Sequence, residues 1–258
     1  MTEYKVRGVV IREDPMGDKD KRVVLLTEEM GKITVLAKGA MGPKSKYASI
    51  TQLFSLGSFV LTKGKTFYYI KEAALIESFY GIRQDLWRLS YASLMVETAE
   101  VLSLEGQENS ALVHLLIRGL LQISHAEEGK EALPADVFIF RSLTEGGYYP
   151  ELTRCRRCGA DLSVLSEGES VVFDVSSGGI LCERCLPVST RSRDRIHSGA
   201  LRALRYVADS EGTKVYSFTV NEDVLQEMNT AVSDYLIEQT EHRFRGLEFI
   251  DKLMRDEG

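Results

Sequence analysis

The chain is short of cysteine, of long apolar runs and of basic charge, and each shortage narrows what it can be. Its longest apolar run, Ala111 to Ile123, is broken by His114 and Arg118. A bilayer-spanning helix needs about 20 predominantly apolar residues, so no stretch qualifies. Thr2 to Arg12 alternates polar and apolar residues instead of building the apolar block of a secretory leader, and a cytoplasmic protein is the default expectation. Only four histidines occur; the one nearest the cysteines is His197, and no HxE companion of the nucleotide-deaminase type accompanies them. No nucleophile, base and orienting group fall together and no acids cluster, so a non-enzymatic protein is expected. Internal repeats and low-complexity linkers are absent too.

The net charge of −6 argues against general attraction to polyanions, but its distribution is uneven. Residues 1–78 carry 13 Lys and Arg against 9 Asp and Glu, leaving 19 against 29 for the rest. Local basic surface decides attraction to phosphates, so an acidic chain can still bind nucleic acid through its first third. At 258 residues and 44% hydrophobic content there is room for two domains.

The four cysteines form two CxxC pairs, Cys155–Cys158 and Cys182–Cys185. Two intervening residues let each pair turn both sulfurs toward one point. Between the pairs, Val171-Val172-Phe173 and then Ser176-Ser177-Gly178-Gly179 read as a strand and a turn that bring the second pair back to the first. Four thiolates in a closed tetrahedral shell suit structural Zn²⁺, with iron or an iron–sulfur cluster as the minority alternative. A disulfide framework belongs to oxidising compartments, and a redox CxxC normally stands alone. Catalytic zinc keeps one position open for water, so a filled four-sulfur shell predicts a staple.

Along the chain, Tyr4–Arg12, Lys21–Thr27, Lys32–Lys38, Phe54–Leu61 and Phe67–Ile76 read as strands, with turns at Met30-Gly31 and Lys63-Gly64-Lys65. Five short strands with one longer connection after the third predict a small barrel of the OB type. The loop from Lys38 to Tyr47 joins three lysines to an aromatic ring. Lysines neutralise phosphates, and Tyr47 offers a face for base stacking. It is no P-loop, because Pro43 interrupts the GK[ST] order and removes a backbone N–H. From Asp85 the apolar period becomes helical. Helices are expected at Asn109–Ser124, Ala135–Glu145 with Gly146-Gly147 as its stop, Ser198–Asp209, Glu222–Glu241 and a last one ending near Leu253. The lone Trp87 reads as packing. The fold class is therefore α+β: an N-terminal OB-fold β-barrel over 1–80, an all-helical domain over 81–153 and 187–258, and a four-cysteine zinc-ribbon module inserted at 154–186.

Certain phrases occur together: Gly8-Val9-Val10-Ile11-Arg12, Ala37-Lys38-Gly39-Ala40 with Pro43-Lys44-Ser45, Glu145-Gly146-Gly147-Tyr148-Tyr149-Pro150, Cys155 to Gly159 and Gly178 to Cys185. In this order the chain resembles the zinc-containing type of the bacterial recombination mediator family RecO over essentially its whole length. It departs from the family at Met41 and Gly42, where RecO proteins tend to be more basic. The resemblance implies a role in homologous-recombination repair: binding single- and double-stranded DNA, annealing complementary strands, contacting the C-terminal tail of single-stranded-DNA-binding protein, and helping RecR load RecA. Structural Zn²⁺ is expected on Cys155, Cys158, Cys182 and Cys185. DNA is expected on Lys21, Arg22, Lys32, Lys38, Lys44, Lys46 and Tyr47. Arg154, Arg156 and Arg157 either extend that surface or balance the charge of the thiolates. The alternative reading is a zinc-stapled protein-interaction adaptor without intrinsic DNA binding.

Overall fold

The computed structural model describes residues 2–188, 190–210 and 212–257. It falls into two compact units, residues 1–126 and 127–258.

The first unit is built on β1 (Glu3–Met16), β2 (Asp20–Thr27), β3 (Gly31–Ala37), β4 (Leu56–Lys63) and β5 (Tyr68–Glu77). They close into a barrel in the order β1-β2-β3-β5-β4. A single long β1 makes closure possible: its first half pairs antiparallel with β4, from Glu3↔Thr62 to Val9↔Leu56, and its second half with β2. The register shift between Val10 and Arg12 bends the strand from one partner to the other. A short parallel contact, Val35↔Tyr68 and Leu36↔Tyr69, seals the ring. Alternation then directs Val6, Val10, Val23, Leu25, Ile33, Val35, Phe59 and Leu61 inward as one apolar core. Each such side chain contributes roughly 1.5–3 kcal/mol when fully buried.

The connection between β3 and β4 is a run of turns that plugs the barrel with Ile50. Gly57 makes room for it, since a Cβ there would stand 2.5 Å from the Ile50 side chain. Helices α1 (Leu86–Leu102) and α2 (Ser110–Ser124) complete this unit. Asp85 and Asn109 cap them, their side-chain oxygens accepting from Arg88 N–H and Leu112 N–H. Arg12 bonds the Glu100 carboxylate at 2.5 Å, and Lys32 donates to the Glu100 carbonyl at 2.7 Å, fastening α1 to the barrel wall.

The second unit contains α3 (Ala132–Glu145), β6 (Ser170–Asp174), β7 (Gly179–Leu181), β8 (Arg195–His197), α4 (Ser198–Asp209), α5 (Glu222–Thr240) and α6 (Arg245–Glu257). α3 is buried almost all round, Ala135 through Phe140 being inaccessible, and packs on α4 and α5. It begins before the expected Ala135, so Pro134 stands at its third position, where a missing N–H has no intrahelical acceptor to lose. Tyr235 of α5 lies between Phe140 and Phe173, with ring centroids 6.1 and 5.3 Å away, and joins the helices to the sheet β7-β6-β8. Among the described residues no helix is long and apolar enough to cross a membrane.

Candidate metal centre and nucleic-acid face

Each CxxC turn is closed by a backbone hydrogen bond onto the carbonyl of its first cysteine. Gly159 N–H closes the first on the Cys155 carbonyl at 2.9 Å, and Cys185 N–H closes the second on the Cys182 carbonyl at 2.8 Å. The hairpin β6–β7, paired Val172↔Leu181, Phe173↔Ile180 and Asp174↔Gly179, delivers Cys182 straight off the end of β7. Arg156 N–H donates to the Ile180 carbonyl, and Cys182 N–H points at the Cys155 sulfur at 3.4 Å, so the turns are also stitched to each other. Val172 and Leu181 pack against Cys155 and Cys185 and keep water from that side.

All four Sγ atoms lie within 4.8 Å of one another, and those of Cys158 and Cys182 are 3.7 Å apart. Four sulfurs about 2.3 Å from a central ion at tetrahedral angles stand about 3.8 Å apart, so the spacing matches a single bound ion. The charges agree. Burial works against ionisation of Cys155, but the N–H groups of Cys182, Cys158 and Arg157 outweigh it and bring this thiol down to about 6. Hydrogen bonding to Cys158, burial and the neighbouring sulfurs push Cys185 up to about 12. A bound cation would hold all four as thiolates. Cys155 and Cys185 are buried, Cys182 half-buried and Cys158 exposed.

The arginines near this centre are largely engaged. Arg156 donates through Nε to the Ser177 carbonyl and Arg157 to the Cys185 carbonyl at 3.0 Å, tying the first turn to the β6–β7 turn and to the second CxxC turn. Arg154 is exposed. Beyond the second turn, Arg191 pairs with Asp194, Arg193 with Asp234 and Arg195 with Glu183. A support that spacing does not reveal is Arg205 of α4. Its guanidinium donates to the carbonyls of Leu152, Leu162 and Ser163, which bracket the first turn.

On the barrel, the seven expected contact residues separate into two groups. Lys21 is paired with Glu13, Arg22 with Asp14 at 2.9 Å, and Lys32 with the Glu100 carbonyl. Lys38, Lys44 and Lys46 are exposed. The ammonium of Lys38 lies 5.1 Å from the centre of the Tyr69 ring and that of Lys46 4.9 Å from the Tyr47 ring. Tyr47 itself is half-buried and donates its hydroxyl to the Lys71 carbonyl, anchoring the loop. Three further residues join this end of the barrel: Lys63 stands 6.0 Å over Tyr68, which packs edge-on against Tyr4. The signal for Lys63 and Tyr68 lies in Lys63-Gly64-Lys65-Thr66-Phe67-Tyr68-Tyr69, which places two lysines and three aromatics around one hairpin turn.

A closed five-strand OB-type barrel followed by a helical unit with four clustered thiols defines the class of fold. Comparison narrows it. The family descriptions "Recombination protein O N terminal" and "Recombination protein O C terminal" match residues 1–79 and 83–248. Proteins named DNA repair protein RecO are similar along nearly their whole length: that of Acetivibrio thermocellus is 35% identical over 99% of both chains, and that of Symbiobacterium thermophilum 32% identical over 98% of both. The Alkaliphilus metalliredigens protein is 30% identical over 96% of this chain and 99% of its own. The chain belongs to the RecO family of DNA repair proteins.

Proposed function

We propose that this protein is a recombination mediator whose barrel, residues 1–80, binds DNA. It takes single and double strands, anneals complementary ones, contacts the C-terminal tail of single-stranded-DNA-binding protein, and with RecR helps load RecA onto coated strands. It does this by binding alone, without catalysing a covalent step. The observation that carries the reading is the row of lysines over tyrosine rings where β3, β5 and the 38–47 loop meet: Lys38 on Tyr69, Lys46 on Tyr47 and Lys63 on Tyr68. Ammonium groups neutralise phosphates and release counterions, while the half-buried rings beneath them offer edges and partial faces against which a base can stack. Exposed Lys44 extends the charge. The ion of the four-thiolate centre is proposed to be Zn²⁺, coordinatively filled and structural. The test is oligonucleotide binding by the variant K38E/K44E/K46E. Its affinity for a single-stranded 30-mer is expected to fall about 100-fold or more at low salt. Unchanged affinity, with the fold intact by circular dichroism, removes this end of the barrel from the DNA site.

A further inference from the structure

We propose that Cys158 is a site of peroxide oxidation, and that its oxidation joins it to Cys182 and releases the ion from the centre. The inference rests on the reading of the four thiols as a metal centre and adds a chemistry to it. Exposure singles out Cys158 among the four mutually close sulfurs, and a neighbouring sulfur on the opposite turn supplies its partner. Cys158 is the one exposed cysteine, whereas Cys155 and Cys185 are packed beneath Val172 and Leu181. Its sulfur faces that of Cys182, from the opposite turn, at 3.7 Å. A peroxide in solvent therefore reaches Cys158, and the half-buried Cys182 stands ready as the resolving thiolate.

The Cys158 thiolate attacks one oxygen of hydrogen peroxide, the O–O bond breaks, and hydroxide leaves, giving the sulfenic acid. The Cys182 thiolate then attacks that sulfur, the S–O bond breaks, and a second hydroxide leaves. Two thiolates are oxidised by two electrons in all, the peroxide is reduced, and two protons from solvent turn both hydroxides to water. The ion keeps two of its four sulfurs, too few to hold it. Because the new bond runs between the turns, it substitutes a covalent link for the ionic one and ties the end of β7 to the first turn.

The test uses the full-length, metal-loaded protein. Metal content is measured first, then hydrogen peroxide is added while released ion is followed with a chromogenic chelator, and cysteines are mapped by differential alkylation and mass spectrometry. The expected result is loss of one ion per chain with a Cys158–Cys182 crosslink as the first product, reversed by dithiothreitol and added zinc. The variant Cys158→His keeps a ligand atom at the position but has no sulfur to oxidise, and is expected to need about tenfold more peroxide for half release. A first crosslink within either CxxC turn, or overoxidised sulfur with no crosslink, overturns the proposal while leaving the metal centre standing. A full-length protein that arrives with no ion on four free thiols overturns the centre itself and the release step with it.

Discussion

Gly31 shows how much rests on single positions. Its φ of +61° closes the β2–β3 hairpin, and a Cβ there would stand 1.9 Å from the Gln107 carbonyl oxygen. Gly31→Ala is expected to cost about 2 kcal/mol or more, read as a lower urea midpoint, because both the backbone conformation and the chain before α2 resist it. The turn is legible from Met30-Gly31, but its second neighbour is not, since nothing local announces that residue 107 passes overhead. Asp136 of α3 is the other telling position. It is fully buried, accepts a 3.0 Å bond from Asn229, and its Oδ2 has no partner among the described residues. Burial, opposed by the Asn229 bond, holds its carboxyl well above the usual range. The folded chain therefore keeps a proton that the unfolded chain releases above about pH 4, and stability falls as pH rises from there, by at most about 1.4 kcal/mol per pH unit. Asp136→Asn has no proton to lose, so its stability relative to the parent should improve as pH rises above about 4 in urea titrations. Parallel curves for the two proteins would contradict this.

At the scale of elements, strong periodicity carries well from sequence to structure. The five barrel strands, α2, α4 and α5 lie within a few residues of where alternation and helical spacing put them. What escapes is structure imposed by neighbours. The three residues Arg195-Ile196-His197 have no pattern of their own and become β8 because β6 offers an unpaired edge. Ile50 lies outside every expected element yet is buried as the barrel's plug, and Phe54, expected to open the fourth strand, stands before it with φ +70°. The thiolate spacing anticipates the metal-site geometry, but Arg205 lies 47 residues past Cys158 and is brought beside the first turn by the fold alone. Chelation tests the element directly. Removing the ion should expose the amides of Ile180, Cys182 and Cys185 to hydrogen exchange, while the β1–β3 ladder keeps its protection. Equal loss of protection in both would mean that the ion holds more than the hairpin.

Across the whole molecule the charges are segregated: residues 1–78 carry a net +4 in a chain of −6. Binding through the basic part should be steeply salt-dependent despite the acidic total. On single strands each phosphate contact adds about 0.7 to the slope of log affinity against log salt, so K38E/K44E/K46E should flatten that slope by about 2. A measured slope identical to the parent's would assign those lysines to solvent. The barrel is closed entirely by residues before 78, whereas the last sulfur ligand comes at Cys185. On a translating ribosome, which releases a chain from its amino end at about 5–20 residues per second, the barrel can mature several seconds before the metal turn has all its ligands. A cell starved of the ion would then accumulate chains with a finished barrel and an unclamped thiol module, a proteolytic fragment pattern that a gel would display.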